Sequence, residues 1–179
     1  MLQEAKVTIE GKTALLMNRY TGDESAPPNM AKLSEGEAWE YAKERAYLDD
    51  DGKPYIPNAN LQQCLINGGK KCKGKGRGTL SQAVAGAVQV LEERVPLKAK
   101  PLELFRNIRK NPSTGGKMLQ YRVRVPAPWN ATFTIAWDDE VIMREQMMDV
   151  LRAAGMRVGL MDWRPEKRGC HGQFAPEMS

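Results

Sequence analysis

Apolar and polar residues alternate most regularly in the middle of the chain, over Lys117 to Val125. The two alternating sets are Leu119, Tyr121, Val123 and Val125 on one side and Gln120, Arg122 and Arg124 on the other. Successive side chains of a strand point to opposite faces, so this pattern predicts a half-buried strand. The same period predicts strands over Ala5 to Met17, with a bend at Gly11-Lys12, and over Thr132 to Trp137.

Three segments have the apolar spacing of helices: Ser34 to Tyr47, Leu61 to Asn67, and the residues after Glu140 up to about Ala154. Ser34 and Glu37 form a capping-box pattern at the start of the first helix. Asn58 or Asn60 is the expected cap of the second, and Gly68-Gly69 is its expected left-handed end.

Other segments give weaker patterns. Residues 80–91 fit a short helix followed by a strand, or one continuous helix. Phe105 to Pro112 is predicted as connecting structure, and Arg157 to Leu160 as a last short strand. Mixed strands and helices with hairpin-like neighbours predict an α+β fold of ferredoxin-like or RNA-recognition-motif (RRM) type, with an antiparallel sheet and helices on one face. We expect a single domain over residues 1–179.

Charge is distributed unevenly along the chain, whose 179 residues carry a net charge of +5. Residues 35–51 are acidic, whereas residues 70–77 and 106–124 are basic. This separation favours an anionic partner such as nucleic acid. The three cysteines have no metal-ligand spacing, so we expect no disulfide framework, metal or cofactor. No apolar stretch has the length of a membrane span, and we expect a soluble, cytoplasmic protein.

A glycine-rich run of cations, which we call the basic loop, occupies about residues 67–79. Five cations fall within eight residues: Lys70, Lys71, Lys73, Lys75 and Arg77. The intervening glycines disfavour helix and strand, so the sequence predicts an extended, flexible loop. Regularly spaced phosphates suit such a loop, although a solvated surface loop without a partner has the same composition.

Two segments resemble the RAMP superfamily, the RNA-binding backbone subunits of CRISPR effector complexes. Residues 54–65, PYIPNANLQQCL, resemble the family's PxIPxxSLxGxLR segment. Residues 158–174, VGLMDWRPEKRGCHGQF, follow a strand and a helix and resemble its glycine-rich loop and closing strand. The resemblance implies a modified RRM fold and RNA binding. The chain lacks the family's tight glycine cluster, and its length is similar to that of compact stand-alone members from phages and mobile elements.

The resemblance also implies that the C-terminal loop, residues 159–174, lies along RNA. Its candidate contacts are Trp163, as a base-stacking platform, with Arg164, Lys167, Arg168 and His171. Trp163 in the core is the alternative. Arg122 and Arg124 are candidate contacts on an open sheet face, or simply solvated there.

The resulting prediction is a non-catalytic protein that binds single-stranded RNA and assembles with other copies or subunits into a ribonucleoprotein. Some RAMP relatives are metal-independent endoribonucleases, which makes His171 a candidate general acid or base. Asp23 and Glu24, in the loop after the first strand, resemble the acidic cleavage residue of some CRISPR backbone subunits in position only, and we assign them no catalytic role. A third possibility is an interaction factor that mimics or obstructs an effector complex without binding nucleic acid.

Overall fold

A computed structural model describes residues 1–23 and 25–179; Glu24, one of the loose acidic candidates, lies outside the described residues. The strands are β1 (Leu2–Gly11), β2 (Leu15–Met17), β3 (Tyr55–Pro57), β4 (Val88–Val90), β5 (Arg94–Pro96), β6 (Glu103–Lys110), β7 (Lys117–Val125), β8 (Asn130–Asp138) and β9 (Phe174–Met178). The α-helices are α1 (Glu35–Glu44), α2 (Asn58–Gly69), α3 (Ser81–Ala87) and α4 (Arg144–Ala153).

The main sheet confirms the predicted α+β, ferredoxin-like class. Its strand order is β4-β8-β1-β9, and its strand pairs are antiparallel. Along the chain, β1, α2, β4, β8, α4 and β9 follow the β-α-β-β-α-β order of ferredoxin-like folds. The remaining elements are inserted into this framework.

Alternation along β1 decides which face of the main sheet is buried. Ala5, Val7 and Ile9 are buried, while Lys6 and Thr8 between them are exposed. The buried face packs with the apolar stripe of α2, where Leu61, Cys64 and Leu65 are at most 4% exposed. The sequence prediction for this helix face is confirmed.

The second sheet has the order β2-β7-β6. Strand β7 has the predicted bounds, and its Val123 and Val125 are fully buried. Strand β6 replaces the connecting structure that we predicted over residues 105–112, so that prediction is wrong. Strands β6 and β7 pair from Glu103↔Arg124 to Lys110↔Lys117 and form a long hairpin.

The predicted capping residues are correct for α1 and wrong for α2. The capping box of Ser34 and Glu37 is present, as predicted. Helix α2 begins at Asn58 without a side-chain cap and runs through Gly69, so the predicted asparagine cap and glycine stop are wrong. Gly68 serves close packing instead: a Cβ there would lie 2.7 Å from the Val150 carbonyl oxygen of α4.

The chain after α4 also departs from the prediction. A π-helical turn over Ala154–Val158 extends α4 into the first half of the segment that we predicted as the last strand, and Gly159 and Leu160 are not in a strand either. The C-terminal loop follows and contains a short 3-10 turn over Pro165–Lys167. The closing strand is β9, which pairs with β1 at the edge of the main sheet.

Candidate nucleic-acid interface

The C-terminal loop lies across one face of the second sheet. Asp162 bridges to Leu16 of β2, and its N–H donates to the Leu16 carbonyl at 3.0 Å. Gly172 donates to Ala14 at 2.8 Å, just before the same strand. Leu16 and Arg124 are paired in register and therefore share this face with Arg122 and Phe105. The face that we predicted to be open is therefore partly covered by the loop.

The loop is held in a costly backbone conformation. Met161, Trp163 and Arg168 have φ values of 62°, 51° and 61°. The left-handed region costs a residue with a side chain about 1–2 kcal/mol. Gly169 has no room for a Cβ beside the Trp163 backbone, and Gly172 has none beside Leu160. Such strain persists only where surrounding contacts enforce it, and it is concentrated at functional sites.

Arginines of the β6–β7 hairpin converge beneath this loop. Arg122 Nε donates to Asp162 Oδ2 at 3.1 Å, and its Nη1 donates to the Tyr121 carbonyl at 2.9 Å. Arg109 Nη2 lies 3.5 Å from the same Asp162 oxygen. The partner of Arg124 is the half-exposed Glu103, with 3.8 Å between Nη1 and Oε2. Two guanidinium groups therefore share one partly buried carboxylate, and a third lies on the same face.

Three aromatic rings, those of Phe105, Trp163 and His171, lie among these arginines. We call the whole group the arginine–aromatic cluster; it consists of Phe105, Arg109, Arg122, Arg124, Asp162, Trp163 and His171. Trp163 stacks on His171 with ring centroids 5.3 Å apart. Phe105 meets His171 edge-on at 5.6 Å, and the Arg109 guanidinium lies 4.8 Å from the Trp163 ring centre. Trp163 is half-buried and already has two partners, so it is not the free stacking platform pictured from the sequence.

The cluster also contains buried polar atoms without a partner in the described part of the chain. They are Nε of Arg109, Nε of Arg124 and Oε1 of Gln120, which lies on the same face of β7 as Arg122. Buried polar atoms are almost always hydrogen-bonded, so each unpaired one calls for an explanation. Two guanidinium N–H groups that lack an acceptor fit a site that an anion completes.

The surroundings of His171 disfavour its charged form. Burial, and then the charges of Arg124 and Arg109, lower the pKa of the imidazole below its usual value, against the opposing charge of Asp162. The residue is 9% exposed. Its Nδ1 lies 3.6 Å from Cys170 Sγ. The neutral ring therefore acts mainly as part of the aromatic packing.

The other predicted residues of the C-terminal loop have two kinds of surroundings. Arg164 is engaged internally, since Nε and Nη2 donate to Glu166 Oε2 at 3.2 and 3.1 Å and Nη1 donates to the Met161 carbonyl. Lys167 and Arg168 are exposed at the end of the 3-10 turn. Only these two cations of the loop's predicted set are presented freely to solvent.

The basic loop lies at the end of α2, apart from the predicted set on the sheet. Its five cations are all exposed. A bridge between Lys73 and Thr79 and a hydrogen bond from Gly74 N–H to the Gly78 carbonyl close the loop. Lys71 and Lys73 line a groove with Arg152 and Arg157 at the end of α4. These two additional arginines extend the basic surface beyond the residues predicted from the sequence.

Sequence reasoning missed Phe105, Arg109 and Asp162 as parts of the site. A signal for the first two was present: from Leu104 to Trp137 the chain has six Lys or Arg residues and no Asp or Glu. Asp162 had no such signal, because its role depends on the loop crossing the sheet. The open face of the main sheet is polar instead, with Lys6, Thr8 and Thr132 exposed.

Neither a metal site nor a membrane span is found in the described ranges. In residues 1–23 and 25–179, no three His, Cys, Asp or Glu side chains are grouped so that they could hold a metal ion. Over these same residues, no helix combines the length and the apolar character needed to cross a membrane.

The strand order and the helices packed on the main sheet define an α+β protein with a ferredoxin-like fold. A chain in the cryo-EM structure of the Type III-B Cmr-beta bound to cognate target RNA is similar to this one, with a TM-score of 0.58 and 12% identity. The match covers 98% of this chain and 61% of that chain. Cmr6 from Pyrococcus furiosus is more distant, with a TM-score of 0.48 and 10% identity over 99% of both chains. No protein-family model and no curated protein matches.

Proposed function

We propose that this protein is a non-catalytic subunit that binds single-stranded RNA through the arginine–aromatic cluster, the C-terminal loop and the basic loop. The observation that carries the proposal is the cluster itself. Two of its three guanidinium groups share one partly buried carboxylate, and two buried Nε atoms lack an acceptor among the described residues. A phosphate oxygen is the natural acceptor for such groups.

The surroundings of the cluster support the same ligand. Arg106, Lys110 and Lys117 are exposed on the hairpin, in which Glu103 is the one acidic residue. Lys167 and Arg168 are exposed on the loop. Rows of cations attract a phosphate backbone, and adjacent rings allow base contact where a strand is unpaired. The fold likeness to a chain from an RNA-bound Type III-B structure agrees with RNA as the polyanion.

As partners we propose RNA and other subunits of a CRISPR-like ribonucleoprotein, with residues 1–179 acting as one domain. The matched chain is longer, so this chain spans 61% of its length. The sequence also favoured a compact stand-alone protein of phage or mobile-element type. Purification of the tagged protein from its native cells distinguishes these two predictions, because only the subunit should bring other proteins with it.

The endoribonuclease alternative depends on His171, and the surroundings of that ring do not favour it. A general acid must be protonated near the working pH, but burial and two arginines lower the pKa of His171. The ring is stacked on Trp163 rather than open to a substrate. Incubation of labelled RNA with the wild type and with His171→Ala tests cleavage directly.

The decisive experiment is purification without nuclease, followed by sizing and sequencing of any bound strand. We expect the ultraviolet absorbance ratio to show nucleic acid, and ribonuclease but not deoxyribonuclease to remove it. Anisotropy with a labelled single-stranded RNA then gives the affinity of the emptied protein. A protein that carries no strand and binds none would contradict the proposal and favour the interaction-factor alternative.

A further inference from the structure

A polar cavity of about 260 Å³ lies between α2 and the C-terminal loop, next to the cluster. Asn60, Gln63 and Asn67 form one wall, and their spacing along α2 places them on one face of that helix. The opposite wall is the chain from Val158 to Asp162, and the remaining lining residues are Asn18, Tyr47, Cys64 and Arg164. Four side-chain amides therefore surround one cavity.

Two of these four side-chain amides have no side-chain hydrogen bond among the described residues and are available to a ligand. Gln63 Nε2 donates to Asn67 Oδ1 at 3.1 Å, and Asn67 Nδ2 donates to Glu166 Oε2 at 3.2 Å. These two contacts fix the orientation of the helix wall. Among the described residues, the amides of Asn18 and Asn60 make no such side-chain hydrogen bond. An amide offers both donors and acceptors, so the cavity can pair with a ligand that carries both.

The cavity carries little net charge despite the basic surroundings. Glu166 neutralises Arg164 on one side, and Arg122 engages Asp162 on the other. Burial raises the pKa of the Cys64 thiol to about 12, so this side chain stays neutral and donates to the Gly159 carbonyl at 3.3 Å. A phosphate therefore has no counter-charge here, whereas a neutral polar group does find partners.

We propose that this cavity takes one unpaired nucleobase and reads its edge through the amides of Asn18, Asn60 and Gln63. Its volume is below the ~300–1,000 Å³ of typical ligand pockets, which suits one heterocycle rather than a longer fragment. Asp162 belongs both to the lining and to the cluster, so a strand held at the arginines lies beside the cavity mouth. The inference rests on the proposed function, because the strand supplies the base.

The test compares homopolymeric RNAs of A, C and U, and each strand with one base replaced by an abasic site. The wild type should prefer its best homopolymer by roughly tenfold, as expected for a hydrogen-bonded base edge. Asn60→Leu should reduce the preference to about twofold or less, because leucine fills the space and removes the amide. Affinity for the weakest homopolymer should not change. Asn130→Leu, on an exposed strand position, is the matched control.

Asn18→Ala, at an exposed residue, gives the same readout if Asn60→Leu does not fold. Mononucleotides, titrated separately, distinguish the source of the base. Mononucleotide binding that depends on Asn60, without strand binding, would support the cavity and contradict the proposed function. Strand binding without base preference, unaffected by abasic sites or by either variant, would overturn the cavity alone. Binding of neither ligand would overturn both.

Discussion

Arg122 and Arg124 lie on one face of β7, yet their guanidinium groups have different surroundings. Arg122 is 9% exposed and its contacts to Asp162 and Tyr121 are internal. Arg124 is more exposed, lies 5.7 Å from the Phe105 ring centre, and has the distant Glu103 carboxylate as its charged partner. Its buried Nε has no acceptor among the described residues. At the residue scale, the first arginine therefore holds the C-terminal loop to the sheet, and the second is available to a ligand.

We expect Arg122→Met to lower the free energy of unfolding by roughly 1–3 kcal/mol, because Asp162 loses its best partner. Arg124→Met should change stability by less than about 1 kcal/mol, as for other exposed pairs. It should instead weaken RNA binding and reduce the logarithmic salt slope by about 0.7, the value for one phosphate contact. Urea unfolding and salt titrations measure both effects. Equal effects of the two substitutions in both assays would refute this division of roles.

The single histidine makes the pH dependence of stability easy to assign. Its pKa in the folded protein is lowered by burial and by Arg124 and Arg109, below the value of 6.5 expected in the unfolded chain. Above that value both states are neutral and stability is highest. As the pH falls through about 6.5, the unfolded chain binds a proton first, so stability should decrease. Melting temperatures between about pH 8 and pH 5 should record the decrease.

His171→Phe is the control, because phenylalanine keeps a ring between Trp163 and Phe105 but does not titrate. The variant should lose most of the pH dependence in that range, since the chain has no other histidine. Identical pH profiles for the wild type and the variant would show that the imidazole is not held in its neutral form.

At the scale of elements, a strand was predicted correctly where its apolar and polar residues alternate regularly. Strand β7 alternates strictly because one side packs in the core, so its bounds were predicted from the sequence. Its partner β6 was missed because Arg106 and Ile108 are exposed on one side while Asn107 and Arg109 lie on the other. A strand that lies mostly outside the core leaves no apolar period to detect.

The same reasoning applies to the candidate site. Trp163, His171 and the arginines of β7 were selected as residue types, but their mutual contacts depend on how the loop crosses β2. That crossing is fixed by tertiary contacts, such as Gly172 N–H to the Ala14 carbonyl. Local sequence contains no information on such a pairing, so the inward-facing part of the site could not be predicted.

The π-helical turn after α4 gives a prediction of its own. A Cβ on Gly155 would overlap the Phe174 carbonyl oxygen at the start of β9. Gly155→Ala should therefore lower the free energy of unfolding by roughly 1–3 kcal/mol, as overpacking does. Gly86, exposed in α3, has no atom within 4 Å of such a Cβ. Gly86→Ala is the matched control and should stabilise by roughly 0.5–1 kcal/mol. Denaturant unfolding of both variants is the measurement, and equal stabilities would refute the close contact.

Across the whole molecule, acidic and basic residues occupy different elements. The exposed acids Glu35, Glu37, Glu40 and Glu44 are on α1, whereas the hairpin, the C-terminal loop and the end of α2 carry exposed cations. A net charge of +5 therefore understates the local positive charge that a polyanion meets. If RNA uses this surface, binding depends on where cations are removed and not only on how many.

Replacing the five cations of the basic loop, Lys70, Lys71, Lys73, Lys75 and Arg77, by alanine tests that dependence. We expect RNA affinity to fall, and the logarithmic salt slope to decrease by about 0.7 for each phosphate that the variant no longer neutralises. The control removes the same charge elsewhere by replacing Lys6, Lys32, Lys53, Lys98 and Lys100, which are all exposed and outside the proposed interface. It should lose some affinity through its lower net charge while retaining most of the slope. Because both variants carry the same total charge, a different slope measures direct contact at the basic loop. Equal slopes would mean that the basic loop only contributes to the long-range field, and the arginine–aromatic cluster would remain as the contact surface.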